Sequence, residues 1–156
     1  MAKFYMTRYN YEDQPKETVY IKYLPDAHKL EQVDWGSWID LYTYEPITIK
    51  QGERAYINLG IAMQLPEGYE AIIAPRSSTF KSWGVLQTNS IGVIDSTYCG
   101  DNDIWMFPAY ATKTVTIPAN TRICQFRIQK EQPELLFEEV ETLEAEDRGG
   151  FGSSGL

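Results

Sequence analysis

Apolar residues along this chain come in short bursts. Residues 19–24, 56–63, 69–74, 104–110, 114–117, 123–128 and 134–140 each have strand length, with Gly, Pro or Asn between them. The run ITIKQGERAYINLGI alternates apolar and polar positions across a Gln51–Gly52 turn, and Pro66, Glu67 and Gly68 break the chain before the next burst, as hairpin connections do. Many short strands at this spacing predict an all-β fold, a sandwich or jelly roll. One stretch, residues 77–83, departs from the pattern and predicts a short helix beginning at a serine cap. There is no internal repeat. The chain ends in DRGGFGSSGL after an acidic stretch, and this last segment predicts a mobile arm.

Composition narrows the partners more than the fold. One domain accommodates 156 residues with a proper core. The formal net charge of −8 gives no general attraction to nucleic acid or to an anionic membrane. An anionic small molecule remains compatible, because a few arginines and backbone amides in one cleft bind phosphate whatever the sign of the whole surface. Cys99 and Cys124 are too few for a disulfide framework and lack zinc spacing, so both are expected as reduced thiols. No apolar run has the length of a signal peptide core or a membrane span. The expected location is the cytoplasm.

Candidate chemistry follows from residue types. The single histidine, His28, sits in the polar stretch PDAHKLEQ with no nucleophile or second metal ligand nearby in sequence. It reads as a surface residue, which leaves a carboxylate as the natural general base. Asp95 follows the apolar run IGVI and precedes STYCG, where a strand enters a tight turn. That is a rigid but exposed position suited to a base, and equally an ordinary turn aspartate. Arg76, Ser77 and Ser78 follow a strand and Pro75, offering a guanidinium fork, two hydroxyls and the N–H groups of a helix start. They read as a phosphate site or as a capped helix with a surface arginine. In the tail, Arg148, Phe151, Gly152, Ser153 and Ser154 supply charge, a stacking ring, backbone freedom and hydroxyls. An unstructured Gly/Ser terminus has the same composition.

Taken in order, WIDL around Asp40, APRSS around Arg76, Asn89 followed by GVIDSTYCG around Asp95, TRICQ around Gln125 and GGFGSSG from Gly149 resemble the five motifs of the trimeric dUTPase family, in particular its phage and prophage members from Gram-positive bacteria. The resemblance implies a dUTPase-like jelly roll with one short helix, residues 1–143 forming the catalytic domain and residues 144–156 a flexible arm that closes over an active site. It implies hydrolysis of dUTP to dUMP and pyrophosphate. Asp95 would activate the water that attacks the α-phosphorus. Asn89, with backbone groups of Gly92, Val93 and Ile94, would bond the uracil edge, and Tyr98 would pack beneath the deoxyribose. Arg76, Ser77, Ser78 and Gln125 would hold the triphosphate, with Mg²⁺ carried by phosphate oxygens and water instead of protein ligands. Asp40 would orient an arginine or a water. Phe151 would close over the base, with Arg148, Gly152, Ser153 and Ser154 around the phosphates.

The resemblance further implies a homotrimer with shared sites, and a host or repressor protein as an additional partner, since some phage members bind regulators. The chain departs from the family pattern at SWIDL, where AGYDL is usual, at Asn120 and Thr121, where Gly and Asp are usual, and at Arg148, which directly precedes GGFG. A dCTP deaminase-like enzyme and a non-catalytic regulatory β-sandwich are the competing readings; Tyr98 and the Phe-bearing tail favour the dUTPase. Residues 1–35 carry no motif.

Overall fold

The computed structural model describes residues 17–31, 37–147 and 149. It contains eleven strands and one short helix among them. The strands are β1 (Tyr20–Tyr23), β2 (Ile39–Tyr42), β3 (Ile47–Ile49), β4 (Arg54–Asn58), β5 (Ile61–Gln64) and β6 (Tyr69–Pro75). After the helix α1 (Thr79–Trp83) follow β7 (Val85–Gln87), β8 (Gly92–Ile94), β9 (Met106–Ala111), β10 (Val115–Ile117) and β11 (Arg122–Lys130). They form a four-stranded sheet in the order β2-β11-β6-β8, a three-stranded sheet β4-β9-β7, and the two-stranded pairs β1-β5 and β10-β3. Every pairing is antiparallel.

Alternation decides what is buried. In β9, Phe107, Ala109 and Ala111 point into the core while Met106 and Tyr110 stay exposed. Trp105, Phe107, Phe126, Leu41, Ile57, Ile73 and Ile123 are among the fully buried side chains, and the rings of Trp105 and Phe126 meet edge to face at 5.3 Å. Each such residue contributes roughly 1.5–3 kcal/mol by leaving water. Ile123 and Cys124 are adjacent yet both buried, which alternation alone forbids; a register shift between Arg122 and Cys124 in the β11–β2 pairing makes it possible.

Three sequence expectations change. Turns do form at residues 51–52 and 67–68, but they do not close hairpins: β3 pairs with β10 and β4 with β9, so the chain crosses between sheets at the first turn. The burst at 56–63 is two strands, because Leu59 and Gly60 divide β4 from β5. Residues 134–140 form no strand. They offer apolar side chains but find no sheet edge among the described residues, and Leu136 and Phe137 are 92% and 88% exposed. The helix lies where expected, though among the described residues the Ser78 side chain makes no capping bond to the helix backbone. Thr79 does the tying instead: its Oγ1 accepts from the Arg76 N–H at 2.9 Å and donates to the Ile123 carbonyl at 2.8 Å. Gly84 ends the helix at φ 66, its N–H donating to the Phe80 carbonyl.

Of the tryptophans, Trp105 is fully buried, Trp38 is half-buried beside the Arg127 guanidinium, and Trp35 lies outside the described residues. Among the described residues no helix is long and apolar enough to cross a membrane. Burial pushes the Cys124 thiol well up, leaving it unreactive, whereas Cys99 is an exposed free thiol.

Candidate active site

The candidate residues gather in two groups at opposite ends of one strand pair. The first group lines a groove of about 300 Å³ between β8 and the outer face of β9, with walls from Asn89, Gly92, Val93, Ile94, Asp95, Tyr98, Tyr56 and Met106. β8 is the edge of its sheet, pairing with β6 on one side only, so part of its backbone is left to meet a ligand. Asp95 follows directly on β8 and turns the chain. The Thr97 N–H donates to Asp95 Oδ1 at 2.8 Å, and the Thr97 hydroxyl makes a short bond to the same oxygen. The Thr97 hydroxyl and then its N–H hold the carboxyl below the ordinary aspartate value, against an opposing effect of desolvation. Asp95 is therefore ionised at neutral pH. Its Oδ2 accepts no bond among the described residues. Tyr98 is partly exposed, with its hydroxyl donating to the Ile104 carbonyl at 3.2 Å.

The second group lies where β6, β2 and β11 end together. Arg76 emerges from β6 and its Nε donates to Asp40 Oδ1 at 2.7 Å, while Nη1 lies 3.4 Å from Ser78 Oγ. Arg122 approaches the other Asp40 oxygen at 3.7 Å. Register places Asp40 opposite Gln125, whose Nε2 donates to the Pro75 carbonyl at 3.2 Å. Ser77 is exposed and Ser78 half-buried in the turn that enters α1. The turn before Arg122 survives the replacement of Gly and Asp: Asn120 takes φ 58, which asparagine tolerates, its N–H donates to the Thr43 carbonyl, and the Thr121 N–H donates to Thr43 Oγ1 at 3.0 Å.

The two groups do not meet within the chain. Ile73 pairs with Gly92 and Ala71 with Ile94, so Asp95 lies level with Glu70 while Arg76 is six residues further along the same strand. At about 3.3 Å per residue that is about 20 Å, far longer than a triphosphate. Arg148, Phe151, Gly152, Ser153 and Ser154 lie outside the described residues. A larger concavity of about 450 Å³, lined by Glu53, Arg54, Tyr56 and Thr88 over β4 and β9, contains none of the candidate groups.

Sequence reasoning missed Thr97, Arg122 and Gln87. Thr97 was legible as a hydroxyl two residues after an aspartate, the spacing of a turn that closes on its own side chain. Arg122 had no local signal, since its link to Asp40 depends on the β11–β2 pairing. Gln87 stands on the buried side of β7 with Val85, a polar residue in an apolar slot.

The dUTPase family profile matches residues 37–155. The chain is 52% identical over 136 residues to the SPbeta prophage-derived deoxyuridine 5'-triphosphate nucleotidohydrolase YosS of Bacillus subtilis (strain 168), covering 86% of this chain and 96% of that protein. It is 41% identical over 124 residues to the deoxyuridine 5'-triphosphate nucleotidohydrolase of Finegoldia magna, covering 77% and 85%. Among solved structures, a Staphylococcus bacteriophage 80alpha dUTPase mutant with dUpNHpp shares the fold at a TM-score of 0.73 and 21% identity, over 90% of this chain and all of that one. The match over most of the chain, with the all-β fold the sequence predicted, leads to one conclusion: this chain belongs to the dUTPase family.

Proposed function

We propose that the protein is a dUTP diphosphatase that releases dUMP and pyrophosphate at sites shared between subunits. The observation that carries the reading is the groove in which Asn89, the free edge of β8, Asp95 and Tyr98 converge. A pyrimidine there meets alternating backbone donors and acceptors plus one side-chain amide, a set that pairs with a particular base edge and leaves groups unpaired with another. The Tyr98 ring lies along the sugar and leaves no room for a 2′-hydroxyl. Asp95, ionised and with Oδ1 occupied by Thr97, presents Oδ2 to a water and takes its proton as the oxygen attacks the α-phosphorus.

The phosphates go to the second group. Asp40 grips Arg76 through Nε, which leaves the rest of the guanidinium for phosphate oxygens beside Ser77, Ser78 and Gln125. On this reading a magnesium ion would be held by phosphate oxygens and water, as that ion keeps most of its waters and binds through substrate phosphates. Bound there, Mg²⁺ supplies charge neutralisation on the triphosphate. In this reading residues 144–156 would serve as the arm, with Phe151 over the base and Arg148, Gly152, Ser153 and Ser154 around the phosphates, excluding water.

The separation of Asp95 from Arg76 within one chain calls for a second copy to complete the site, and a homotrimer supplies it. Two exposed apolar features support the assembly. Tyr56, Leu86, Met106 and Tyr110 stand on the outer face of the β4-β9-β7 sheet, and Leu135, Leu136, Phe137, Val140 and Leu143 lie uncovered after β11. The test is release of pyrophosphate and of ammonia from dUTP, dCTP, dTTP and UTP, with Mg²⁺ and with EDTA. Mg²⁺-dependent pyrophosphate release from dUTP alone is expected; ammonia from dCTP would identify a deaminase, and no turnover of any nucleotide would identify a binding protein.

A further inference from the structure

We propose that Gln87 is a positioning residue for base recognition. It locks the Asn89 amide with its NH₂ turned toward the base site, so that the groove receives a carbonyl at the 4-position of a pyrimidine and refuses an amino group. The inference rests on the reading above that Asn89 meets the base.

The direction of the relay is fixed at its origin. Gln87 ends β7 with its side chain buried, and its Nε2 donates both to the Ile73 carbonyl at 3.2 Å and to Asn89 Oδ1 at 2.9 Å. A backbone carbonyl only accepts, so the group of Gln87 that faces Ile73 is its NH₂. That same NH₂ faces Asn89, whose oxygen must turn toward it. Asn89 Nδ2 is thereby left over. It donates to no partner among the described residues and lies 3.7 Å from the point at which a side chain on Gly92 would begin, beside the strand that lines the groove. A 4-keto pyrimidine offers an oxygen there. A 4-amino pyrimidine offers a second NH₂, and two donors face each other with nothing to accept either.

The other end of Gln87 supports the same conclusion. Among the described residues, the buried Oε1 has no hydrogen-bond partner. Two bonds at the nitrogen and none at the oxygen is a poor arrangement for stability, and an apolar side chain of the same shape would pack there without an orphaned acceptor. What a leucine lacks is the ability to hand on a direction from a fixed carbonyl to a mobile amide. Gly92 protects the relay, because a Cβ at that position would stand 3.3 Å from Gln87 Nε2 and 3.2 Å from the Ile73 Cβ.

The test measures kcat and KM for dUTP and dCTP on the full-length protein with Mg²⁺, for Gln87→Leu and Asn89→Ala beside the unaltered enzyme. Gln87→Leu is expected to reduce the preference for dUTP over dCTP about tenfold, the worth of one hydrogen bond. The loss should appear in KM for dUTP with kcat retained, since neither Asp95 nor the phosphate group is touched. Unchanged preference in Gln87→Leu alongside lost preference in Asn89→Ala overturns the relay alone; unchanged preference in both overturns the base reading as well. Should Gln87→Leu fail to fold, side-chain amide ¹⁵N resonances of the unaltered protein decide. On adding the imido analogue of dUTP the Asn89 NH₂ signals are expected to move, and unmoved signals overturn the proposal.

Discussion

At the scale of single residues, Thr97 sets both the charge and the aim of Asp95. Two donors from one residue fix Oδ1 and hold the carboxyl below its ordinary value, which favours the ionised form that the proposed base requires. Thr97→Val removes the hydroxyl that contributes most. The Asp95 pKa then rises toward the ordinary value, and the acid limb of kcat/KM moves to higher pH with little change near pH 7; a pH–rate profile of free enzyme and dUTP checks it. The sign for stability is the same. A carboxyl whose folded pKa is depressed adds stability that is present above its unfolded pKa and lost as pH falls through the folded pKa. Asp95→Asn keeps the shape and removes the base, so turnover should vanish while a calorimetric titration still shows dUTP binding.

At the scale of elements, the turn before Arg122 and the segment after β11 carry the clearest expectations. Asn120 sits at φ 58 with its N–H on Thr43. Asn120→Val forces a β-branched residue into the left-handed region and should cost about 1–2 kcal/mol, read from chemical denaturation. Deleting residues 147–156 should leave a folded assembly with little activity, measured by light scattering and pyrophosphate release. The strands themselves were largely legible, because β1, β6, β9, β10 and β11 follow apolar bursts whose period needs no tertiary knowledge. The short strands β2 and β7 were not. IDLY and VLQ are too brief to show a period, and they are strands because they pair with β11 and β9. Pairing was likewise hidden: the turn at residues 51–52 is local chemistry, but which sheet each flanking strand joins depends on β9 and β10, more than fifty residues on. The motifs located Asp95, Arg76 and Gln125, whereas the Asp40 bridge to Arg122 is a product of register and could not be read along the chain.

At the scale of the whole molecule, the two ends of β6 and β8 set the logic of the assembly. If each site takes Asp95 from one subunit and Arg76 from the next, neither defect is confined to its own chain. Refolding an equal mixture of Asp95→Asn and Arg76→Ala subunits should restore about a quarter of normal activity, since half the neighbours on each side bring the intact group. Sites built within one chain would give none.

The roughly 20 Å between those groups reaches beyond architecture into how the enzyme behaves on dilution. On the proposed reading, a subunit with Asp95 at one end and Arg76 at the other would own no working site, so turnover per chain should not be constant. It should fall steeply once the concentration drops below that at which three copies hold together, and recover on reconcentration. Early in synthesis, when few chains exist, the cell would hold folded protein with almost no hydrolysis, and activity would switch on as copies accumulate.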